Sequence, residues 1–306
     1  MKTYPKQVKI VEVGPRDGLQ NEKGIVPTNG KIEYINKLSK SGLKFIEVTS
    51  FVNPKNIPQL YDASDVVKAL KLDKDIVYSV LIPNMKGLDR ALEAGIKHVA
   101  IFTAASETFN KKNINMTINE SLSVFNDVVK VVLTKGITIR GYISTCFVCP
   151  YEGNIKKEKV LDVANALLGI GVEEISIGDT IGAAVPKDVY NTVGNLLNSI
   201  PKEKIALHFH DTYGTALTNV LAGLELGIST YDSSSGGLGG CPYAPGASGN
   251  LATEDLVYFL EKMGIKTGID LEKLAEASLF MQDVLGHPLP SKQLARILSS
   301  QQTISN

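Results

Sequence analysis

Eight short runs rich in β-branched residues recur along this 306-residue chain, and a stretch with helical character separates each run from the next. Regular alternation of strand and helix patterns is typical of successive βα units, whose strands run parallel. The predicted strands are Val8 to Val13, Phe45 to Thr49, Ile76 to Ile82, His98 to Thr103, Thr138 to Ser144, Glu174 to Ile177, Ile205 to Phe209 and Thr230 to Ser233. The repetition therefore predicts an α/β fold built on a parallel sheet.

Two of the intervening stretches carry apolar residues at i, i+3, i+4 and i+7, the spacing of one helical face packed on a sheet. They are Val160, Val163, Ala164 and Leu167, and Leu217, Val220, Leu221 and Leu224. Eight strands with helices between them favour closure into a TIM (β/α)8 barrel over an open sheet. An open doubly wound sheet would be expected to have a glycine-rich phosphate loop after its first strand, and this chain has Gly14 to Gly18, GPRDG, there instead.

Beyond Asp255 the pattern is helical only, through about Leu298. The chain contains no linker or low-complexity segment that would divide it earlier. We therefore predict a catalytic barrel over residues 1–270 and a small C-terminal helical extension, residues 271–306, that packs on the barrel.

Composition limits the partners and the compartment. The 32 Lys and Arg residues balance the 32 Asp and Glu residues, so the net charge does not favour nucleic acid or an anionic membrane as a partner. The sequence also has no apolar run long enough to span a bilayer. Three cysteines are too few for a secreted disulfide framework, and the first residues do not form a targeting signal, so we expect a cytoplasmic protein.

A metal site is predicted at the carboxyl end of the seventh strand. His208 and His210 are two residues apart on that strand, so both imidazoles project from the same side. Taken alone, such a pair is equally well explained by hydrogen bonds to neighbouring backbone. Asp17 and Asn250 can add oxygen ligands, and a mixed nitrogen and oxygen site suits Mg²⁺ or Mn²⁺ better than zinc.

Other charged residues follow the ends of predicted strands, where a TIM barrel holds its active site. Arg16 adjoins Asp17 after the first strand, Glu47 lies in the second, and Asp179 follows the sixth. Arg16 and Asp17 could form only a surface ion pair, which contributes little. At a barrel mouth beside a metal ligand, however, Arg16 would stabilise an enolate oxygen.

A glycine-rich segment, Ser233 to Asn250, has the length and flexibility of a lid. Cys241 lies near its centre, where an exposed thiol would act as an acid once the loop closes. An inert loop cysteine is the alternative interpretation. Cys146 and Cys149 form a C-x-x-C pair without a second pair to complete a zinc site, so we interpret them as structural or incidental.

Several motifs together resemble the 3-hydroxy-3-methylglutaryl-CoA lyases. The likeness covers nearly the whole chain. The motifs are Val13 to Gln20 (VGPRDGLQ), Ile46 to Phe51 (IEVTSF), Lys111 to Asn115 (KKNIN), Cys149 to Gly153 (CPYEG), Gly178 to Gly182 (GDTIG), His208 to Asp211 (HFHD) and Ala247 to Asp255 (ASGNLATED).

The resemblance implies cleavage of 3-hydroxy-3-methylglutaryl-CoA to acetyl-CoA and acetoacetate, with Mg²⁺ or Mn²⁺ as cofactor, in a homodimer. Matched residue by residue, it implies the metal ligands Asp17, His208, His210 and Asn250, the catalytic or supporting residues Arg16, Asp17, His208, Cys241, Glu47 and Asp179, and the substrate-binding residues Arg16 and Gln20. The loop lysines Lys111 and Lys112 are further candidates for contact with the nucleotide phosphates of CoA.

Two alternatives are considered. A condensing enzyme such as citramalate or isopropylmalate synthase shares the R-D-G and H-x-H motifs, but carries a G-x-G-E-R-x-G-N type sequence where this chain has Gly239 to Cys241. The cysteine loop therefore favours the lyase. A non-catalytic CoA-binding or metal-binding barrel is disfavoured by the intact set of charged and metal-binding residues.

Overall fold

The computed structural model describes residues 3–240 and 249–304. Its strands are β1 (Lys9–Glu12), β2 (Phe45–Ser50), β3 (Val77–Leu81), β4 (His98–Ala104), β5 (Thr138–Ser144), β6 (Val148–Cys149), β7 (Gly153–Asn154), β8 (Glu174–Asp179), β9 (Ile205–Phe209) and β10 (Thr230–Ser233). Eight of them close into a parallel barrel in the order β1-β10-β9-β8-β5-β4-β3-β2. The predicted TIM barrel is confirmed.

The predicted strand positions agree with the barrel strands. The fifth, seventh and eighth have the predicted bounds, and the others differ by one or two residues at their ends. The sequence did not reveal the short antiparallel pair β6 and β7, in which Val148 pairs with Asn154 and Cys149 with Gly153. Each strand has only two residues, too few for an alternating pattern.

Helices surround the barrel. They are α1 (Thr28–Lys40), α2 (Ala63–Ala69), α3 (Met85–Glu93), α4 (Glu107–Ile114), α5 (Ile118–Thr134), α6 (Lys157–Gly169), α7 (Pro186–Leu196), α8 (Ala216–Glu225), α9 (Thr253–Lys262), α10 (Leu271–Leu285) and α11 (Lys292–Ile304). Among those described, no helix is long and apolar enough to cross a membrane.

Helix α5 shows how local sequence sets these elements. The Thr117 side chain accepts from the backbone N–H of Glu120, whose carboxylate accepts from the backbone N–H of Thr117, which completes a capping box. Phe125, Val128 and Val132 then follow at helical spacing, and all three are buried. The cap fixes where the helix begins, and the apolar stripe fixes which face packs on the barrel.

The C-terminal helices cover one side of the barrel. Helix α10 packs against α1, and its buried residues include Leu274, Ala277 and Met281. Helix α11 contacts α9 and α10. Both helices fall within residues 271–306, the segment predicted to form the extension.

Candidate active site

A π-helical turn, Gly14–Gly18, follows β1 and carries Arg16 and Asp17. The Val13 carbonyl accepts hydrogen bonds from the backbone N–H groups of Arg16 (3.1 Å), Asp17 (2.7 Å) and Gly18 (3.2 Å). Such turns are rare and occur frequently at functional sites. This one places both side chains at the carboxyl end of the barrel, where TIM barrels hold their active sites.

The two histidines come from the β9 segment, which only β10 separates from β1 in the closed barrel. His208 is in β9, and His210 directly follows that strand. Their ring centroids are 5.3 Å apart, while the intervening Phe209 points away and packs against Phe147. The alternation of side chains along a strand accounts for this arrangement. Both histidines are buried.

Asp17 lies close to both imidazoles. Its Oδ2 atom is 4.0 Å from Nε2 of His208 and 3.9 Å from Nε2 of His210. One ligand atom from each of the three residues lies within 4.8 Å of the others. Ligand atoms on an octahedral Mg²⁺ are about 3–4 Å apart, because each lies about 2.1 Å from the ion. The three residues are therefore spaced as ligands of one small cation.

Asn250 reaches the same place from the last segment of the barrel. It pairs with His210 in a short antiparallel bridge, which the hydrogen bond from Leu251 N to Phe209 O (3.0 Å) extends. Its Nδ2 donates to Asp17 Oδ2 (2.9 Å). Its buried Oδ1 has no hydrogen-bond partner among the described residues. An orphaned amide oxygen beside a carboxylate and two imidazoles fits the fourth predicted metal ligand.

The protonation states also suit metal binding. Burial and the neighbouring His208 lower the pKa of His210 to about 4, so its imidazole is neutral at pH 7. Burial alone would raise the pKa of Asp17, but the positive charge of Arg16 together with the imidazoles holds it well below the usual carboxyl range. Neutral imidazole and ionised carboxylate are the forms that bind metal.

Arg16 is held between two carboxylates. Its Nε contacts Glu47 Oε1, and its Nη1 donates to Asp17 Oδ1 (2.5 Å). The guanidinium is buried, and these two carboxylates keep its pKa above its already high ordinary value despite the opposing effect of burial. Glu47 therefore orients Arg16. The resemblance implied a catalytic or supporting role for Glu47.

Tyr142, in β5, was not recognised from the sequence. Its hydroxyl donates to Glu47 Oε2 (3.1 Å), its ring lies 5.2 Å from the Arg16 guanidinium, and it meets the His208 ring edge-on at 6.3 Å. Burial raises the pKa of this phenol well above 10, so it remains a neutral donor. Period-two alternation along the predicted fifth strand places it on the same face as Arg140 and Ser144, a signal that was available.

Asp232, in β10, was also missed. Its Oδ2 is 3.3 Å from Nδ1 of His208, and its Oδ1 accepts from Nη2 of Arg140 (2.6 Å). Burial alone would raise the pKa of Asp232, but Arg140 and the hydrogen bonds it accepts lower it to about 2. It lies in the last predicted strand, yet nothing local in TYDS distinguishes it from an ordinary strand residue.

Asp179 makes different contacts from Glu47. Its two carboxylate oxygens accept from the backbone N–H groups of Ala183 (3.1 Å) and Ala184 (3.0 Å), in the loop after β8. Burial raises its pKa to about 7. In the structure it organises this loop rather than bonding to Arg16, and a catalytic role for it stays a prediction.

A cavity of about 710 Å³ opens beside these residues. Its wall includes Arg16, Asp17, Gln20, His208 and His210. Its remaining wall includes aromatic and amide side chains from strands, helices and loops, among them Asn53, Asn84, Phe102, Asn113 and Asn115. The cavity is large enough for an extended organic substrate to reach the candidate metal ligands.

Of the two predicted loop lysines, one lines this cavity. Lys112 lines it, with Nζ 4.8 Å from the Tyr151 ring centroid, whereas the Lys111 ammonium donates to the carbonyl of Asn115 (3.4 Å). Cys241 lies outside the described residues. The segment that leads to it enters the site, since Gly240 lines the cavity and its carbonyl accepts from Asn21 Nδ2 (2.7 Å).

The remaining cysteines and histidines lie elsewhere. Cys146 and Cys149 are both buried, and their thiols contact Ile143 O (3.0 Å) and Ser106 Oγ (3.1 Å). Burial raises the pKa of Cys146 well above its ordinary value, so its thiol is unreactive. The other two histidines bond away from the cavity, His98 to Thr138 and His287 to Glu22.

Comparison with known proteins decides the family. The HMGL-like family model matches residues 7–281. The chain belongs to the HMGL-like family. It is 52% identical over 297 residues to a hydroxymethylglutaryl-CoA lyase of Bacillus subtilis, an alignment that covers 97% of this chain and 99% of the relative. The family thus accounts for nearly the whole sequence.

Solved structures of the family have the same fold. The crystal structure of the HMG-CoA lyase from Bacillus subtilis superposes with a TM-score of 0.95 at 51% identity, covering 96% of this chain and 99% of that one. An HMG-CoA lyase from Acinetobacter baumannii, solved in complex with coenzyme A and 3-methylmalate, has a TM-score of 0.91 at 44% identity. That alignment covers 97% of this chain and 96% of the relative.

Proposed function

We propose that the chain cleaves 3-hydroxy-3-methylglutaryl-CoA into acetyl-CoA and acetoacetate. The observation that carries this proposal is the convergence of Arg16 and the three residues Asp17, His208 and His210 on the wall of one cavity. Its family relatives at about half sequence identity are lyases of this substrate by name. The site combines groups for binding a cation with a guanidinium that can stabilise developing negative charge.

The residues that would hold the cation are Asp17, His208, His210 and Asn250. A divalent cation bound there would act as a Lewis acid that lowers the pKa of the substrate 3-hydroxyl. We propose Mg²⁺ or Mn²⁺, because the ligand set mixes imidazole nitrogen with carboxylate and amide oxygen and contains no described thiolate.

The reaction begins when a base accepts the proton of the 3-hydroxyl. Asp17 and His208 both line the cavity. The low pKa of Asp17 makes its carboxylate a weak base, whereas a His208 ring whose Nε2 is bound to the cation has no free lone pair, so Asp17 and His208 both stay candidates for the base. The bond between C2 and C3 then breaks, and its electron pair passes to the acetyl-CoA fragment as an enolate, leaving acetoacetate.

Arg16 faces the enolate in this proposal. Glu47 and Asp17 fix the guanidinium before substrate binds, so stabilising the thioester oxygen requires little reorganisation. A proton delivered to C2 of the enolate completes acetyl-CoA. We propose Cys241 as the proton donor, with His208 as the alternative, and Gln20 as a substrate contact at the cavity wall.

The test is a product assay with 3-hydroxy-3-methylglutaryl-CoA, with and without EDTA. We expect acetoacetate and acetyl-CoA in equal amounts, loss of turnover with EDTA and recovery with Mg²⁺ or Mn²⁺. A parallel incubation with acetyl-CoA and 2-oxo acids monitors free CoA. Release of CoA there without cleavage of the hydroxyacyl-CoA would identify a condensing enzyme and overturn the proposal.

We also propose that Lys112 contacts the nucleotide phosphates of CoA, because its cationic side chain lines the same cavity as the candidate metal ligands. Replacing Lys112 with Met should raise KM for the CoA ester while leaving kcat nearly unchanged. Lys111→Met is the matched control, since that lysine donates to Asn115 O instead. An unchanged KM in the Lys112 variant would contradict the contact.

Three features stay proposals: a homodimer, which the resemblance implies, and a cytoplasmic location and a division between the catalytic barrel, residues 1–270, and the extension, residues 271–306, which the sequence pattern predicts. Light scattering coupled to size-exclusion chromatography tests the first. A mass near that of one 33.0 kDa chain would contradict the dimer.

A further inference from the structure

A buried charged network lies beneath the candidate metal ligands, inside the barrel. Its centre is Arg140 in β5, whose guanidinium contacts side chains of β5, β8 and β10. Nη2 donates to Asp232 Oδ1 (2.6 Å), Nη1 donates to the Tyr142 hydroxyl (3.0 Å), and Nε forms an ion pair with Glu174 Oε1 (2.9 Å). Burying charges at the centre of a barrel is costly unless each is paired, so these contacts fix the positions of all partners.

Every oxygen of Asp232 has a defined role in this network. Oδ1 faces Arg140, while Oδ2 accepts from Ser176 Oγ (2.7 Å) and lies 3.3 Å from Nδ1 of His208. The residue is only 1% exposed, so water cannot replace these partners. An ionised carboxylate accepts hydrogen bonds and donates none.

Because Asp232 can only accept a hydrogen bond, it determines which tautomer His208 adopts. Its Nδ1 must carry the hydrogen that Asp232 accepts, which leaves the lone pair of the neutral ring on Nε2. Nε2 is the atom that faces Asp17, at 4.0 Å from Oδ2. A hydrogen-bonded carboxylate behind an imidazole fixes its ring orientation and tautomer for metal binding.

We propose that Asp232 is a positioning residue that holds His208 in the Nδ1–H tautomer with Nε2 directed at the cation. Arg140 is the branch point of the network. Through Asp232 it reaches His208, and through Tyr142 and Glu47 it reaches Arg16. One buried guanidinium thereby sets the positions of both the cation-binding imidazole and the group that stabilises the enolate.

The inference rests on the proposed function in one respect, that His208 binds a divalent cation. Its first test is Asp232→Asn, which keeps the size of the side chain. If its carbonyl oxygen stays on Arg140, its amide N–H₂ faces Nδ1 and favours the tautomer with hydrogen on Nε2. Titration with Mn²⁺ in the absence of substrate, followed by electron paramagnetic resonance of the free ion, should show a Kd raised about tenfold to a hundredfold.

Glu174→Gln is the matched control. Glu174 pairs with the same Arg140 and with Lys9 but does not touch His208. We expect its Kd for Mn²⁺ to stay near that of the wild type. Equal weakening in both variants, or an unchanged Kd in Asp232→Asn, would overturn the inference in favour of a purely structural role.

A second measurement needs no metal to bind. The chain has four histidines, so ¹⁵N-labelled imidazoles of the wild type should give a simple long-range ¹H–¹⁵N spectrum. Its His208 signals, identified by their absence in His208→Gln, should show the Nδ1–H tautomer near pH 8. An Nε2–H tautomer would overturn the inference. Failure of the wild type to bind Mn²⁺ would instead contradict the proposed function.

Discussion

Arg16 has its position fixed from two sides. Glu47 contacts Nε and Asp17 contacts Nη1, while the Tyr142 ring lies over the guanidinium. A residue that is already ordered loses little entropy on stabilising a transition state, which is why such groups contribute strongly to catalysis. The same contacts make the guanidinium irreplaceable by a flexible ammonium, because Lys lacks the planar fork that spans two carboxylates.

Replacing Arg16 with Met tests its role directly. We expect kcat to fall about 10²- to 10³-fold or more, with a smaller change in KM, because the lost interaction forms mainly in the transition state. Steady-state kinetics with 3-hydroxy-3-methylglutaryl-CoA measures both constants. Arg296→Met, at an exposed position on α11, is the control and should behave as the wild type. Near-normal kcat in the Arg16 variant would exclude the proposed role.

A short element, the π-helical turn Gly14–Gly18, positions Arg16 and Asp17 in the site. The π-helical turn that carries Arg16 and Asp17 packs closely on the segment after β10. A Cβ atom at Gly18 would lie 2.7 Å from Ser234 Oγ and 2.9 Å from Leu238 Cβ. Contacts this short cannot persist, so the turn keeps its place only with glycine there.

Gly18→Ala should displace the turn. We expect weaker Mn²⁺ binding and kcat lowered about tenfold or more, because catalytic geometry tolerates little misplacement. Gly24→Ala is a suitable comparison, since a Cβ at Gly24 would meet nothing within 4 Å. If the two variants bind Mn²⁺ and turn over alike, close packing of the turn is not needed for the site.

The start of the glycine-rich segment is held by two buried carboxylates. Glu12 accepts from the backbone N–H of Ser235 (2.8 Å), and Glu254 accepts from that of Gly236 (2.8 Å) and from the Ser278 hydroxyl. Burial raises the pKa of Glu12 to about 7 and that of Glu254 to about 8. The segment that leads to Cys241 therefore begins at a fixed point.

These raised pKa values predict a pH-dependent stability. Between about pH 4.5 and pH 8 the unfolded chain ionises Glu254 while the folded chain keeps it protonated, so the unfolding free energy falls as pH rises. In Glu254→Gln this fall, measured by urea denaturation at pH 5 and pH 8.5, should be smaller by about 1–3 kcal/mol. Exposed Glu276→Gln on α10 should leave the fall unchanged. An identical fall in the Glu254 variant would contradict the prediction.

At the scale of the whole molecule, the candidate metal ligands join distant parts of the barrel. Asp17 follows β1, the histidines belong to the β9 segment, and Asn250 lies after β10. These three strands are neighbours in the closed sheet, in the order β1-β10-β9. A cation bound by all four residues would bind the folded chain and not the unfolded one, because only folding brings these ligands together.

Mn²⁺ should therefore raise the melting temperature. At a free concentration of about 100 times Kd the stabilisation is about 2.7 kcal/mol. Differential scanning calorimetry with and without Mn²⁺ measures the shift. His210→Ala should abolish most of it, whereas His98→Ala, at the start of β4 and away from the cavity, should retain it. A shift of the same size in both variants would place the cation elsewhere.

Much of the fold follows from local sequence. The eight barrel strands and the shared direction of His208 and His210 depend on side-chain alternation within a few residues, so the sequence alone predicts them. Alternation places Tyr142 on one face of its strand, but it does not reveal the contacts of Asp232 or Tyr142. Their partners His208 and Glu47 are 24 and 95 residues away, and only the register of the closed sheet brings them together.

The sequence by itself determined the α/β repeat, the charged residues at strand ends and the family motifs, because each is written in short contiguous stretches. The tertiary structure alone decided which of those residues meet, that Asp179 bonds to backbone, and that Arg140 joins His208 to Arg16. The physical reason is barrel closure: hydrogen bonding between β1 and β10 fixes the stagger of every strand, and the stagger selects the contacts inside the barrel.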